Sequence, residues 1–196
     1  EPELAVVYGN AKQPIAGWWG NPALKLKPMP RVIEASNGVI FLAAGRPRPG
    51  LGAVPKDRLA LSSWRPYPLP AGACIDVGMP CERVWLLLQN YVHPMKNYIP
   101  NGEVVLHYAD GRQTIQSLVP PLNLDCYFQH FSRKGMAVPL GVLGPAGFIH
   151  AGMMSPHADA LEIACDPAVP LESIELRATC SEGVLGLVGL TALTGR

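Results

Sequence analysis

Short apolar runs, each bounded by glycine, proline or other turn residues, follow one another along the chain. No run keeps the spacing of an amphipathic helix for longer than about three turns. The 21 prolines and 20 glycines are spread throughout the sequence instead of forming one linker. This pattern predicts roughly ten short strands without interleaved helices, which indicates a sandwich or barrel and disfavours a parallel α/β fold.

The clearest strand predictions lie in the second half of the chain. Residues 82–89 are almost wholly apolar, so we expect a central strand that is buried on both faces. Residues 103–108 and 113–119 flank Asp110-Gly111, which predicts a hairpin. Residues 173–179 alternate between polar and apolar side chains, so one face of that strand should be wet and the other dry. The other predicted strands are 4–8, 32–34, 39–43 (hinged to 32–34 at Asn37-Gly38), 58–62, 73–77, 148–150, 160–165 and 184–192.

Residues 13–30, 45–56 and 64–72 are rich in proline and glycine and are predicted to be loops. We therefore expect an N-terminal extension, residues 1–56, packed on a β-sandwich domain of residues 57–196. The length of 196 residues suits this single domain with its extension.

Composition narrows the classes of partner. Hydrophobic residues make up 48% of the chain, which is enough for a full core. The 16 basic and 15 acidic residues leave a net charge of +1, and neither sign forms a run. We therefore expect neither a nucleic-acid partner nor a membrane partner, because the first needs a basic stripe and no apolar stretch has membrane-spanning length.

The five cysteines are Cys74, Cys81, Cys126, Cys165 and Cys180. The odd number leaves at least one thiol unpaired in a monomer, and no pair has CxxC spacing. A bridge between Cys74 and Cys81 across a predicted turn is one alternative, and burial of all five as small apolar side chains is the other. The cysteines do not decide the compartment.

A resemblance to a known family rests on the order of several segments. The sequence RVWLLLQ at 83–89 is followed by GEVVLHYADG at 102–111, a strand at 115–118 and the loop PPLNLDCYF at 120–128. A strand at 171–176 and an apolar strand at 184–190 close the order. Over residues 59–193 this order resembles the galactose-binding-like (jelly-roll) β-sandwich domains that accompany bacterial glycoside hydrolases and other polysaccharide-acting proteins.

The resemblance implies an all-β antiparallel sandwich of jelly-roll type in a secreted or bacterial cell-envelope protein. Members of that family bind polysaccharides or oligosaccharides through loops at one end of the sandwich, or pack against a catalytic domain in the same or another chain. Some hold a structural calcium ion, which the scattered carboxylates here leave open as an alternative. A fold does not by itself imply a function.

A sugar site needs flat aromatic faces beside amides, carboxylates or histidines that pair with hydroxyl groups. Loops 90–98 and 123–133 offer both, and strand order predicts that they open at the same end of the sandwich. The alternative is that these aromatic side chains close the core, as we expect for Trp85. The predicted ligand-binding residues are Trp64, Tyr67, Tyr91, His93, Asn97, Tyr98, Asn123, Asp125, Tyr127, Gln129 and His130.

Catalytic and metal motifs are sparse in the sequence. There is no GxSxG, HxH or HExxH motif and no phosphate-binding glycine loop with its lysine. Cys126 and His130 are close in sequence, but a nucleophilic thiolate also needs an electropositive and partly exposed setting. We expect no catalytic residues, and the metal content is left undecided.

Three functions therefore compete. The first is a non-catalytic carbohydrate-binding module, which predicts an exposed pair of aromatic side chains with polar neighbours. The second is an accessory domain of a larger glycoside hydrolase, which predicts buried aromatics and an apolar patch facing a partner. The third is a hydrolase or lyase fragment, which predicts paired carboxylates or a histidine–tyrosine pair in a cleft.

Overall fold

A computed structural model describes residues 25–26, 32–35, 38–42, 59–65, 69–92, 96–125, 137–139, 142–143 and 157–194 of the protein. Within these residues the chain forms thirteen strands, and every strand pair is antiparallel. The strands are β1 (Lys25–Leu26), β2 (Val32–Glu34), β3 (Ile40–Leu42), β4 (Leu59–Leu61), β5 (Gly72–Met79), β6 (Arg83–Tyr91), β7 (Gly102–Tyr108), β8 (Gln113–Leu118), β9 (Ala137–Pro139), β10 (Val142–Leu143), β11 (His157–Ala164), β12 (Leu171–Ala178) and β13 (Val184–Leu193).

Two sheets share one hydrophobic core. The five-stranded sheet has the order β4-β13-β6-β11-β9, and the four-stranded sheet has the order β5-β12-β7-β8. Leu86 and Leu161 of the first sheet belong to the same buried cluster as Leu106 and Ile174 of the second. The predicted all-β antiparallel sandwich is thus confirmed, whereas its jelly-roll type stays a prediction.

The strand β6 is buried on both faces, as its apolar sequence predicted. Eight of its nine residues are buried. Val84, Leu86 and Leu88 face the core between the two sheets. Trp85 and Leu87 face the other side, so Trp85 is the core residue that its position among leucines indicated.

A third layer covers the outer face of the five-stranded sheet. The hairpin of β2 and β3 places Ile33 and Phe41 in the cluster that contains Trp85 and Leu87. The side chains of Val32, Ile40 and Leu42 lie on the opposite face of the hairpin and are exposed. This hairpin lies within the sequence range expected to form an N-terminal extension, and it packs directly on the sandwich.

Two bulges keep apolar side chains on the inner faces. In β13 the pairing with β6 shifts at Val188, so that Leu187 pairs with Leu88 but Gly189 pairs with Leu87. Because side chains alternate along a strand, one extra residue exchanges the two faces. Leu187 before the bulge and Leu190 after it therefore both pack against the inter-sheet core. A similar shift follows Leu171 in β12.

Both predicted glycine hairpins form, and they close in the same way. In the β7–β8 turn, Gly111 donates its N–H to the carbonyl of Tyr108, while Tyr108 donates to Arg112. The β2–β3 turn repeats this pattern around Gly38. Gly111 and Gly38 have φ values of +84° and +80°, a left-handed conformation that glycine adopts without steric cost.

The short strands β1, β9 and β10 were not predicted, and β1 lies in a range expected to be loop. Such pieces are only two or three residues long, so they carry no periodic signal. The predicted strands 4–8 and 148–150 lie outside the described residues. Among the described residues, none belongs to a helix with the length and apolar character needed to span a membrane.

Gly102, at the start of β7, lies close to the backbone of β12 and to a side chain of β13. We expect Gly102→Ala to lower the free energy of unfolding by about 2–3 kcal/mol in urea denaturation. An added methyl group would lie 2.6 Å from the carbonyl oxygen of Arg177 and 2.8 Å from Cδ2 of Leu185. The matched control is Gly186→Ala, where the nearest atom, Cβ of Gln89, lies at an ordinary 3.5 Å. Equal losses in the two variants would contradict this explanation.

Candidate functional site

One end of the sandwich gathers the described residues that the sequence nominated for binding. We call it the loop end and define it by residues 62–65, 69–71, 96–101, 119–125 and 179–183. The strands β4, β6, β8 and β12 end there, and β5, β7 and β13 begin there. Trp64, Asn97, Tyr98, Asn123 and Asp125 all lie in its loops.

The described part of the first nominated loop lies beside the segment 118–120, which leads into the second nominated loop. The backbone N–H of Tyr98 donates to the carbonyl of Pro120 at 2.6 Å. The N–H of Asn101 donates to the carbonyl of Leu118 at 2.8 Å. Tyr67, His93, Tyr127, Gln129 and His130 lie outside the described residues.

Asn101 ties the loop end together. Its buried side-chain amide donates to the carbonyls of Lys96 and Ile99 at 3.0 and 2.9 Å and accepts from Asn90 Nδ2 at 3.2 Å. Its backbone carbonyl accepts from the N–H groups of Thr179 and Cys180. The side chain of Asn101 thus fixes the β6–β7 loop, and its backbone carbonyl joins that loop to the β12–β13 turn.

Tyr98 projects from this fixed loop into solvent. Its side chain is 73% exposed, and its φ of +63° is unusual for a residue with a side chain. Leu122, 67% exposed, and Ile99 lie on the same two loops. We call Tyr98, Ile99 and Leu122 the apolar rim. Sequence reasoning missed Ile99 and Leu122, whose only signal was that each is next to a nominated residue.

The other nominated residues occupy less accessible positions. Tyr91 is buried, and its hydroxyl donates to Gln89 Oε1 at 2.8 Å. Asp125 is buried as well, and its N–H donates to Asp159 Oδ2 at 2.6 Å. The half-buried amide of Asn123 accepts from Val119 N–H and donates to the carbonyl of Ser117, so it shapes its own loop.

Backbone strain and an unpaired polar atom add to the loop end. Tyr98 and Glu182 are the two residues other than glycine with positive φ in the described part of the chain, and both lie here. Lys96 Nζ lies 3.5 Å from Glu182 Oε2, which joins their two turns. Oδ1 of Asn97 is buried and accepts no hydrogen bond. Strained backbone and unsatisfied polar groups are typical of binding sites.

Trp64 follows β4 and is half-buried at this end. The neighbouring hydroxyls anchor its loop, because Ser62 Oγ donates to the carbonyl of Gly183 at 2.7 Å and Ser63 Oγ donates to that of Cys180 at 2.8 Å. The loop of Trp64 is therefore connected through the β12–β13 turn to the loop of Tyr98.

The described residues give little support for a reactive thiol or a metal site. Cys74, Cys81, Cys165 and Cys180 are all free, with Cys74 exposed and Cys81 buried. Burial raises the pKa of Cys81 and Cys180, and raises that of Cys165 to about 11, so these three thiols are protonated at neutral pH. Nowhere in the described ranges do three histidine, cysteine, aspartate or glutamate side chains form a metal-binding group.

At the opposite end of the sandwich, the described turns 109–112 and 165–170 are joined by an arginine. Arg112 Nε donates to Asp110 Oδ2 at 2.6 Å and its Nη2 donates to Asp166 Oδ2 at 2.8 Å. The guanidinium also lies 5.5 Å from the ring centre of Tyr108. These bonds to Arg112 hold the pKa of both carboxyl groups below the usual range. In the described turns of this end, the three charged groups pair with one another.

Comparison with known proteins adds no relative. No family model matches the chain, and searches of curated proteins and of solved structures find no match. The resemblance to galactose-binding-like domains therefore stays a prediction.

A polar network crosses the outer face of the four-stranded sheet. His107 Nε2 lies 3.1 Å from Glu175 Oε2, and Arg177 donates to both carboxylate oxygens of Glu175 at 2.6–2.7 Å. Bonding to Arg177 first, and then to His107, holds the pKa of Glu175 below its usual range. A carboxyl group with a lowered pKa stabilises the folded state above its unfolded pKa, and this stabilisation is lost as the pH falls.

For Glu175→Gln we expect a melting temperature about 1–3 °C below that of the wild type at pH 7. The difference should shrink as the pH falls below about 4.3, the ordinary pKa of a glutamate, and through the lower pKa of Glu175 in the folded state, because the wild-type carboxylate becomes protonated over that range. Thermal melts followed by circular dichroism across this range measure both quantities. Glu172→Gln removes an exposed carboxylate from the same strand and is the matched control. A difference that is independent of pH would contradict the role of the ion pair.

For Asn101→Ala we expect a loss of about 2–3 kcal/mol in the free energy of unfolding, because Asn90 and two carbonyls lose their partner. Amide hydrogen exchange should also rise across residues 96–100. Asn101→Asp replaces the donor by an acceptor that faces both carbonyls, so it should not restore the loop. A stability within about 0.5 kcal/mol of the wild type in Asn101→Ala would refute this role.

Proposed function

We propose that this chain is a non-catalytic carbohydrate-binding module of a polysaccharide-acting protein, and that the loop end is its binding site. The observation that carries the proposal is the exposed ring of Tyr98 on a backbone that Asn101 and Pro120 hold in place. Because the backbone that carries Tyr98 is already held in place, only the two torsions of its side chain lose freedom when a ligand packs on the ring.

The chemistry of the loop end suits a sugar. The apolar face of a pyranose ring packs on an aromatic side chain, and its hydroxyl groups need donors and acceptors nearby. The apolar rim supplies the first kind of contact. The ammonium group of Lys96 and the carboxylate of Glu182 supply polar groups at the same end of the sandwich.

The setting of the protein is part of the proposal. A module of this kind concentrates a catalytic domain, in the same or another chain, on a polysaccharide or oligosaccharide outside the cytoplasm. A secreted or bacterial cell-envelope location follows from that role.

The accessory-domain alternative has an observation of its own. The outer side of the β2–β3 hairpin exposes Val32, Ile40 and Leu42, with Leu42 at 69%. Adjacent exposed apolar side chains on one strand pair are typical of an interaction surface. In this second candidate function the hairpin packs against a catalytic domain, and the loop end binds no ligand.

Affinity electrophoresis against a panel of soluble polysaccharides tests the proposal. We expect at least one polymer to retard the wild type, and Tyr98→Ala to weaken that binding at least about tenfold because the stacking ring is lost. Tyr98→Phe keeps the ring and should bind nearly as well as the wild type. Tyr127→Ala probes the second nominated loop in the same gels.

Leu42→Ala is the control for exposed apolar surface away from the loop end and should leave retardation unchanged. If no polymer retards the wild type, the carbohydrate-binding proposal is wrong and the accessory-domain alternative takes its place. Retardation that Tyr98→Ala leaves intact would place the sugar elsewhere on the molecule.

A further inference from the structure

Two of the four described cysteines lie in neighbouring connections between the sheets. Cys81 belongs to the connection 80–82, which leads from β5 to β6, and Cys165 begins the connection 165–170, which leads from β11 to β12. Each connection crosses from one sheet to the other. Both lie at the end of the sandwich opposite the loop end, because β6 runs from Cys81 towards the loop end and β11 runs antiparallel to it.

The backbone brings these two cysteines to adjacent positions. The N–H of Cys165 donates to the carbonyl of Glu82 at 2.9 Å, which extends the β6–β11 ladder beyond the pair of Arg83 and Ala164. Opposite residues of an antiparallel ladder have Cα atoms about 4.5–5.5 Å apart, and disulfides join Cα atoms about 4.4–6.8 Å apart. Cys81 is the next residue to Glu82, so the two cysteines are neighbours across the ladder.

Both side chains face the same core. Cys81 is fully buried in the inter-sheet cluster. Cys165 follows Ile163 by two residues, so alternation places both on one face of β11, and both pack in or against that cluster. The pKa of Cys165 is raised to about 11, first by burial and then by the charge of Cys81, which is the effect expected of two sulfur atoms near each other.

The other described cysteines have different surroundings. Cys74 lies opposite Glu175 in the β5–β12 ladder, and the residues on either side of Glu175 in β12 face the core. Cys74 is therefore on the outer face of its sheet, where it is exposed, and a bridge to the buried Cys81 would have to cross that sheet. Cys180 lies at the loop end.

We propose that Cys81 and Cys165 form a disulfide bond when the chain folds in an oxidising compartment. The oxidant is a small-molecule or protein disulfide. The thiolate of one cysteine attacks it to form a mixed disulfide and releases one thiol, and the second cysteine then attacks the first and releases the other. The two cysteines lose two electrons and two protons, which the two released thiols carry away.

Little is lost when the two thiols are oxidised. Cys81 Sγ donates to the carbonyl of Met79 at 3.5 Å and Cys165 Sγ donates to that of Ile163 at 3.8 Å, each acceptor being two residues earlier in the chain. A thiol is a weak donor, so these contacts contribute little. Burial and a raised pKa make both thiols slow to react in the finished fold, so the bond forms while the chain is folding.

Peptide mapping tests the bond in protein that is reduced, unfolded and then refolded in a mixture of reduced and oxidised glutathione. We expect digestion without reduction to yield a peptide of Cys81 joined to a peptide of Cys165, and dithiothreitol to separate the two. Refolded protein in which both thiols are open to alkylation after unfolding overturns the proposal. A bond from Cys81 to any other cysteine overturns it as well.

Thermal melts measure what the bond does for the fold. The cross-link closes a long loop that contains β6 to β11, and long loops gain most from a disulfide. We therefore expect dithiothreitol to lower the melting temperature of the oxidised protein by roughly 10 °C. A mapped bond whose reduction leaves the melting temperature unchanged would contradict its stabilising role.

Cysteine variants separate this bond from other thiol chemistry. Cys81→Ala and Cys165→Ala should each melt at one temperature with and without dithiothreitol. Cys74→Ser is the matched control, since it removes an exposed thiol near Cys81 in the sequence and should keep the full difference. A difference that persists in both alanine variants would mean that another pair is oxidised, and the proposal would be wrong.

The disulfide and the sugar site can be tested separately. The bond lies at the end of the sandwich opposite Tyr98, so reduction at a temperature below the melting transition should leave retardation by polysaccharides unchanged. Failure of every polymer to bind would leave the mapped bond intact, and a missing bond would leave binding by the loop end intact. A structural disulfide is typical of secreted and periplasmic proteins, which agrees with the proposed location.

Discussion

The strand β6 has no solvent face, and the layers of the protein are arranged around this constraint. Val84, Leu86 and Leu88 require an apolar layer on one side, which the four-stranded sheet supplies. Trp85 and Leu87 require another on the opposite side, which the β2–β3 hairpin supplies. Each such side chain contributes about 1.5–3 kcal/mol when buried, so exposing either face would remove a large part of the roughly 5–15 kcal/mol by which a domain is stable.

Neighbouring strands follow from the same constraint. The strand β13 lies beside β6 and must also bury both faces over its first six residues. Strict alternation cannot keep Leu187 and Leu190 in one core, because they are three residues apart. The bulge at Val188 removes this conflict and places Val188 itself in the second core. A local irregularity thereby preserves the packing of both layers.

At the loop end, where the apolar layers stop, hydrogen bonds to buried polar side chains take over. Buried Asn90 and Asn101 lie where the inter-sheet core stops. Asn90 Nδ2 donates to Asn101 Oδ1, and the amide of Asn101 satisfies two loop carbonyls. Order in the loops therefore comes from hydrogen bonds to a buried side chain. That order holds the backbone of Tyr98 in place while its side chain is exposed, which is the basis of the proposed binding site.

Local signals allowed the sequence alone to determine the all-β class, the doubly buried β6 and the hairpins at Gly38 and Gly111. Alternation and left-handed glycine turns depend only on neighbours along the chain. Only the tertiary structure decided that Tyr91 is buried while Tyr98 is exposed, although the two lie in one nominated loop. It also decided the pairing of β1, β9 and β10 and the positions of the bulges. These features depend on which surface each residue meets across the fold, and that information is absent from any short stretch of sequence.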